Sequence, residues 1–190
     1  MIIISILSFS TILLGGFIAI FSFDCKEIIA YSTLSQIGFM ILTLSLKIKK
    51  IAFFHMTTHA LFKSVLFMCA GFYIHIINSQ DIRFIRIKEG RPTVNSVFRL
   101  SLLSISGLPF LRGFYSKDYI LDSLSIKIIN LKLIFCFFSI IILSIFYSLR
   151  LIKITYNIKI KNLIKWEWDI MVFSIILLSR GSIVYGCIYQ

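Results

Sequence analysis

Several features that would assign this sequence to a familiar soluble class are missing. It has no CxxC pair and no His/Cys spacing of the kind that holds a metal. Its four cysteines, Cys25, Cys69, Cys136 and Cys187, stand far apart, so neither a disulfide nor a metal centre is expected. Cys69 and Cys136 lie inside apolar runs, where a cysteine behaves as a small hydrophobe. Short stretches of alternating polar and apolar residues are also missing, which excludes a membrane β-barrel. No basic n-region or small-residue cleavage site marks the first segment as a signal peptide, so it reads as a retained helix. No short-period repeat occurs. Acidic residues are few, 8 against 20 Lys and Arg, for a net charge of +12. That balance raises the question of nucleic acid. The basic residues, however, fall between apolar runs and not along one continuous face, as in the loops that flank membrane spans. No nucleic-acid partner is expected. Alanine is scarce while isoleucine, phenylalanine and lysine abound, a bias that suits an AT-rich organelle or reduced genome.

What is abundant is apolar surface. Of the 190 residues, 58% are hydrophobic, and mean hydropathy is +0.95. Soluble domains sit nearer about 45–50%. A chain this short has too little interior to hide the excess, so it must face lipid. A spanning helix takes about 20 apolar residues, and the sequence offers such runs. They cover Met1 to Phe23, Ile28 to Leu46, Ile51 to Ile77, Val94 to Leu111, Leu131 to Leu151 and Ile170 to Ile188. Polar breaks separate them at Asp24–Glu27, Lys47–Lys50, Asn78–Pro92, Tyr115–Asp118 and Lys153–Asp169. Trp166 and Trp168 sit where interfacial aromatics belong. The expected fold is all-α, a polytopic transmembrane bundle of about six helices. The basic excess in the first, third and fifth loops favours that side as the inner face.

The third segment carries all three histidines, His55, His59 and His75. His55, His59 and Lys63 follow one another at intervals of four. Four residues advance a helix by about 40° and 6 Å, so these side chains project from one side at successive levels. A lysine within a span is costly against lipid and must face a bundle interior or a hydrated path. Histidine takes up and releases protons near neutral pH, and a buried lysine beside a carboxylate can be switched between its charged and neutral forms. The ladder suits a proton relay; the plainer alternative is packing polarity between helices. His75 lies near the segment's end and is expected at the interface. Lys26, beside Asp24 and Glu27, reads on hydropathy alone as a loop lysine.

Longer motifs carry a resemblance. Asp24-Cys25-Lys26-Glu27-Ile28-Ile29-Ala30-Tyr31-Ser32-Thr33-Leu34-Ser35-Gln36-Ile37-Gly38 is similar to a D-x-K-x-x-x-A-[YL]-S-T-x-S-Q-x-G stretch. His55 to Gly71 is similar to H-x-x-T-H-A-x-F-K-[SA]-x-L-F-x-x-[SA]-G. Gln80-Asp81-Ile82-Arg83 follows, then Gly107-Leu108-Pro109-Phe110 and Gly113-Phe114-Tyr115-Ser116-Lys117-Asp118. In order and separation these motifs resemble the antiporter-like, proton-pumping subunits of respiratory complex I, in the chain-5 form and not that of the sister chains 2 and 4. Departures are local: Phe84-Ile85-Arg86 stands where the family has Gly-Gly after Asp-Ile-Arg, and Arg112 stands where a small or neutral residue is usual.

The resemblance implies an antiporter-like fold with discontinuous helices, of which residues 1–190 form a partial, central portion. It implies a multi-pass protein of the mitochondrial inner membrane that works within NADH:ubiquinone oxidoreductase. The subunit couples electron transfer elsewhere in the complex to proton pumping, with no redox chemistry of its own. NADH, flavin, iron–sulfur clusters and ubiquinone are handled elsewhere, so no bound cofactor is expected. Partners are lipid and other membrane-arm subunits, especially the chain-4 antiporter-like subunit. The implied relay residues are Lys26, as the key lysine of a discontinuous helix; His55, His59 and Lys63 on the next helix; Lys117 further along; and Lys165 before the last span. Two other readings stand beside this one: the large subunit of a multisubunit Na+/H+ antiporter, and a truncated, non-catalytic assembly component.

Overall fold

In hydrocarbon no water satisfies a backbone amide, so an apolar run must close its hydrogen bonds within itself and becomes a helix. The computed structural model describes residues 2–85, 92–109, 111–127, 131–156 and 171–180. Its helices are α1 (Ile2–Phe21), α2 (Cys25–Ser45), α3 (Lys49–Ile77), α4 (Ile82–Ile85), α5 (Pro92–Ser106), α6 (Arg112–Lys127) and α7 (Leu131–Tyr156). A further apolar helix, α8, spans Met171–Arg180. Within α1, α2 and α3, three segments are long and apolar enough to cross a membrane. The fold is the expected all-α polytopic bundle.

Helix α1 packs on α2 and α7; α3 sits centrally against α2, α5 and α6; α5 also meets α7. Small residues set the closest approach, as is usual where helices associate in lipid. A side chain at Gly38 of α2 would run into Thr11 and Ile12 of α1. Two apolar cores result. One gathers Ile28, Ile29, Phe62, Leu66, Tyr73, Phe98 and Leu102; the other gathers Ile12, Phe39, Leu42, Ile120, Phe137 and Ile140. Leu7, Leu14, Phe17 and Phe21 on α1, with Phe138, Ile142, Phe146 and Leu149 on α7, face away from both.

At one end of the bundle the connections are latched together. The Cys25 amide donates to the Gln80 carbonyl and the Ile82 amide to the Phe23 carbonyl, each at 3.0 Å, around an antiparallel bridge between Asp24 and Asp81. Arg150 of α7 donates to the Ile20 carbonyl in the last turn of α1. Arg99 of α5 donates to the Thr155 carbonyl near the end of α7, at 2.7 Å. Both arginines thus supply donors to helix-end carbonyls that have no partner within their own helix. Asn78 ends α3 in the left-handed conformation, φ 55°, which asparagine tolerates better than most residues.

Several boundaries differ from the sequence expectation, among them the end of α7, which runs past Leu151 to Tyr156. Helix α2 begins at Cys25 and not Ile28, so Lys26 and Glu27 lie in its first turn; an acidic residue there suits the helix dipole. Helix α3 begins at Lys49, taking in two lysines expected to be loop. The fourth span, expected to reach Leu111, stops at Ser106. Tyr115–Asp118, expected to interrupt the spans, lies inside α6. The real break is Gly107–Leu111: Gly107 has φ +85°, which ends a helix readily, and Pro109 resists restarting one at once. Hydropathy misplaces the break because Ser116 and Lys117 are buried, and polar residues inside a fold mimic a loop. The Lys153–Asp169 junction and the last span fall largely outside the described residues.

The return of the chain after this break depends on Gly113, where an added Cβ would lie 1.7 Å from the Ser104 carbonyl oxygen. Backbone, not a movable side chain, occupies that space. Gly113→Ala must push α6 away from α5, at a cost of about 3 kcal/mol or more. The expected outcome is a clear loss of the folded subunit from membranes, measured by its abundance and thermal unfolding in detergent.

Candidate proton-relay site

Helix α3 brings His55, His59 and Lys63 to one face, as their spacing requires, and the neighbouring helices complete the surroundings. Lys63 is 5% exposed. Its ammonium nitrogen donates to the Ile29 carbonyl at 3.1 Å and to Ser32 Oγ at 2.5 Å, both on α2. Ser32 in turn donates to that same Ile29 carbonyl, at 2.9 Å. The lysine is therefore held by a carbonyl and a hydroxyl, with no carboxylate in contact among the described residues.

One turn back, the His59 and His55 rings lie 6.1 Å apart between centroids. His55 is 3% exposed and is gripped from two helices. Its Nδ1 is 2.9 Å from Ser116 Oγ on α6, and its Nε2 is 3.2 Å from Gln36 Oε1 on α2. Phe39 meets the ring edge-on at a centroid distance of 5.3 Å. Lys117 follows Ser116 on α6 and is 6% exposed. It donates to the Ile105 carbonyl at 2.6 Å and to Ser144 Oγ on α7 at 3.1 Å.

The helix break creates the Lys117 site. Stopping α5 at Ser106 leaves carbonyls such as that of Ile105 outside the helical ladder, and Lys117 takes one of them. Gly107 lies against the Lys117 stem, where a Cβ would come within 3.3 Å of Cδ. A cavity of about 10 Å³ sits at the junction, lined by Gln36, His55, Thr58, His59, Phe62, Ser104, Ile105, Gly113, Ser116 and Lys117. That is room on the scale of one water molecule. Three polar atoms around it, Gln36 Nε2, His59 Nε2 and Ser104 Oγ, are buried without a hydrogen-bond partner among the described residues.

The structure thus places Lys63, His59, His55 and Lys117 in one row, running from α3 across to α6. Among the described residues no Asp or Glu is buried. Lys26 lies apart: it is exposed in the first turn of α2, and α2 runs unbroken from Cys25 to Ser45. The described discontinuity precedes Lys117, not Lys26, so the lysine seated at a broken helix is Lys117. Lys165 lies outside the described residues, and His75 is exposed in the last turn of α3. Sequence reasoning noted Ser32 and Gln36 only as a polar cluster and gave Ser116 and Ser144 no role. Ser116 is next to Lys117, which is a usable signal; Ser144 is one serine in an apolar run, and nothing in the sequence marks it.

An apolar helical bundle enclosing a row of titratable side chains defines a polytopic membrane protein with an internal polar path. The family profile described as NADH:quinone oxidoreductase/Mrp antiporter, transmembrane, matches residues 1–146, and the chain belongs to that family. It is 42% identical over 182 residues to a protein from Anopheles quadrimaculatus named NADH-ubiquinone oxidoreductase chain 5, covering 93% of this chain and 32% of that protein. Proteins of the same name from Aedes aegypti and Locusta migratoria are 43% and 48% identical, over 93% and 74% of this chain and 31% and 25% of theirs. The chain spans about a third or less of the length of these relatives. Among solved structures, a subunit of the membrane-bound sulfane sulfur reductase, an archaeal respiratory membrane complex, shares the fold with a TM-score of 0.82. That match is 21% identical and covers 98% of this chain and 39% of the other.

The Lys63 pocket yields a direct energetic test. Ser32→Ala removes one of the two acceptors of a buried ammonium, which should cost about 0.5–1.5 kcal/mol. In a Lys63→Met background the same substitution should cost clearly less, because only the Ser32 bond to the Ile29 carbonyl remains to be lost. Thermal or denaturant unfolding of the four variants in detergent measures the coupling.

Proposed function

We propose that this chain forms the central part of a proton-translocating membrane-arm subunit of NADH:ubiquinone oxidoreductase, in the mitochondrial inner membrane. The observation that carries the reading is the row Lys63, His59, His55, Lys117 inside an apolar bundle, with Lys63, His55 and Lys117 buried and His59 half-buried. Each member exchanges a proton without covalent rearrangement: one N–H bond breaks as the next forms. Histidine is suited to the middle of such a row because it accepts at one ring nitrogen and releases from the other. Ser116, the residue before Lys117, contacts His55 and so ties α6 to the histidines. His59 lies one turn from Lys63 on α3 and lines the same cavity as Lys117, so a proton arriving at one lysine repels protons along the row. A push of this kind needs no redox group in the chain. NADH oxidation and ubiquinone reduction belong to other subunits, with membrane-arm neighbours, including the chain-4 antiporter-like subunit, extending the polar path at each end. The family resemblance adds Lys26, exposed in the first turn of α2, and Lys165, which lies outside the described residues, as further relay candidates.

The family also includes Mrp antiporters, so ion exchange without electron transfer is the second reading. The relatives named NADH-ubiquinone oxidoreductase chain 5 favour the first. The decisive experiment substitutes Lys117→Met in the complete subunit within its complex, in sealed vesicles. Proton translocation through this subunit should fall by about 100-fold or more, the scale of losing a positioned proton-transfer group, and lower the protons pumped per NADH oxidised. A ratio equal to wild type would overturn the reading. Lys26→Met, removing an exposed charge, should have a much smaller effect on the same ratio.

A further inference from the structure

Resting on the relay proposed above, one buried side chain outside the row has the geometry to control it. Gln36 of α2 is 1% exposed, an unusual depth for an amide. Its oxygen faces His55 Nε2 at 3.2 Å. Its nitrogen is buried with no hydrogen-bond partner among the described residues, and so is the hydroxyl of Tyr147 on α7. These two orphans are neighbours: Tyr147 lies close enough to Gln36 for the amide and phenol to interact. On its other side His55 meets Ser116 at 2.9 Å, and Ser116 Oγ is 3.2 Å from the Gly113 carbonyl.

Two arrangements of hydrogens fit these heavy atoms. With the amide oxygen toward His55, the ring carries its proton on Nε2 and donates it to Gln36. Nδ1 must then accept from the single Ser116 hydroxyl hydrogen, so Ser116 cannot donate to Gly113. The amide nitrogen meets Tyr147, whose own hydrogen finds no acceptor. Turning the amide by 180° changes every link. The amide N–H donates to Nε2, so the ring proton sits on Nδ1 and donates to Ser116. Ser116 donates to Gly113, and Tyr147 donates to the amide oxygen. Gln36, His55, Ser116 and Tyr147 then each have a partner, as buried polar groups require. Amide oxygen and nitrogen have nearly the same size, so the turn disturbs no packing.

We infer that Gln36 is a positioning residue: the direction in which its amide lies sets which ring nitrogen of His55 bears the proton. The amide itself carries no proton; every N–H of the ring is formed and broken with a partner of the relay, and the amide fixes which nitrogen is free to accept. With its oxygen toward Nε2, the free acceptor is Nδ1, facing Ser116; with its nitrogen toward Nε2, Nδ1 is the donor to Ser116. Phe39, edge-on to the ring, holds the imidazole in place while the amide turns.

The test uses the intact complex in sealed vesicles, with protons pumped per NADH oxidised as the first readout and Lys117→Met as the control. Gln36→Met keeps the volume and removes both hydrogen-bonding ends. Gln36→Glu, when ionised, only accepts and so holds the proton on Nε2. Both should lower proton translocation through this subunit by about tenfold or more. The infrared histidine ring bands, which differ between tautomers, should show both forms during wild-type turnover and one form in Gln36→Glu. Tyr147→Phe, which removes the hydroxyl beside the amide without touching His55, should shift the balance of these bands in the same experiment. Wild-type pumping in Gln36→Met, with Lys117→Met defective, would overturn the inference and leave the relay standing. Wild-type pumping in Lys117→Met would remove the relay itself. If Gln36→Met does not assemble, unchanged tautomer bands in Tyr147→Phe and Gln36→Glu would overturn the inference instead.

Discussion

A polar group taken out of water must find its partner inside the protein, and this one constraint organises the bundle. In lipid it forces the backbone into helices. At helix ends it leaves carbonyls to be met by side chains that reach across from elsewhere. Arg150 meets the end of α1, Arg99 the end of α7 and Lys117 the end of α5. Three cationic side chains thus do for helix ends what water does in a soluble protein. The scarcity of acidic residues follows the same logic: carbonyls need donors, and lysine and arginine supply them.

Lys117 shows how structural need and chemical opportunity coincide. The chain breaks at Gly107 and turns back so closely that Gly113 touches the Ser104 carbonyl. That turn frees the Ile105 carbonyl and brings Ser116 to His55. A continuous helix would keep the Ile105 carbonyl within its own ladder and take from Lys117 its shortest hydrogen bond. Breaking the helix gives the amine a place to sit without a carboxylate to hold its proton. Lys63 reaches the same result with an unbroken helix, through Ser32 and the Ile29 carbonyl. Both amines are held by neutral oxygens, which bind a proton carrier without fixing it as tightly as an ion pair would.

The histidines occupy the place where α2, α3, α5 and α6 line one small cavity. Residues from the first apolar core, Phe62 and Ile105, line the small cavity beside them. Phe39 of the second core presses on His55. The row is therefore a polar seam between two apolar masses, not a channel through one. A seam of this kind keeps bulk water out while allowing hydrogen bonds to change direction along it. That combination is what separates proton transfer from leakage.

The sequence by itself determined the membrane class, the main long helices and the common face of His55, His59 and Lys63. These depend on hydropathy and on the helical period, which are local properties. It could not place the helix break, because Ser116 and Lys117 have the same polarity in a loop as in a buried seam. Nor could it separate Lys26 from Lys117. Both lie in recognisable motifs, but one stands exposed in the first turn of an unbroken helix and the other is enclosed by α5 and α7. Only tertiary structure decided that, along with the partnership of His55 with Gln36 and Ser116 across 19 and 61 residues. Burial and long-range hydrogen bonding depend on which helices meet, and no local period encodes which helices meet.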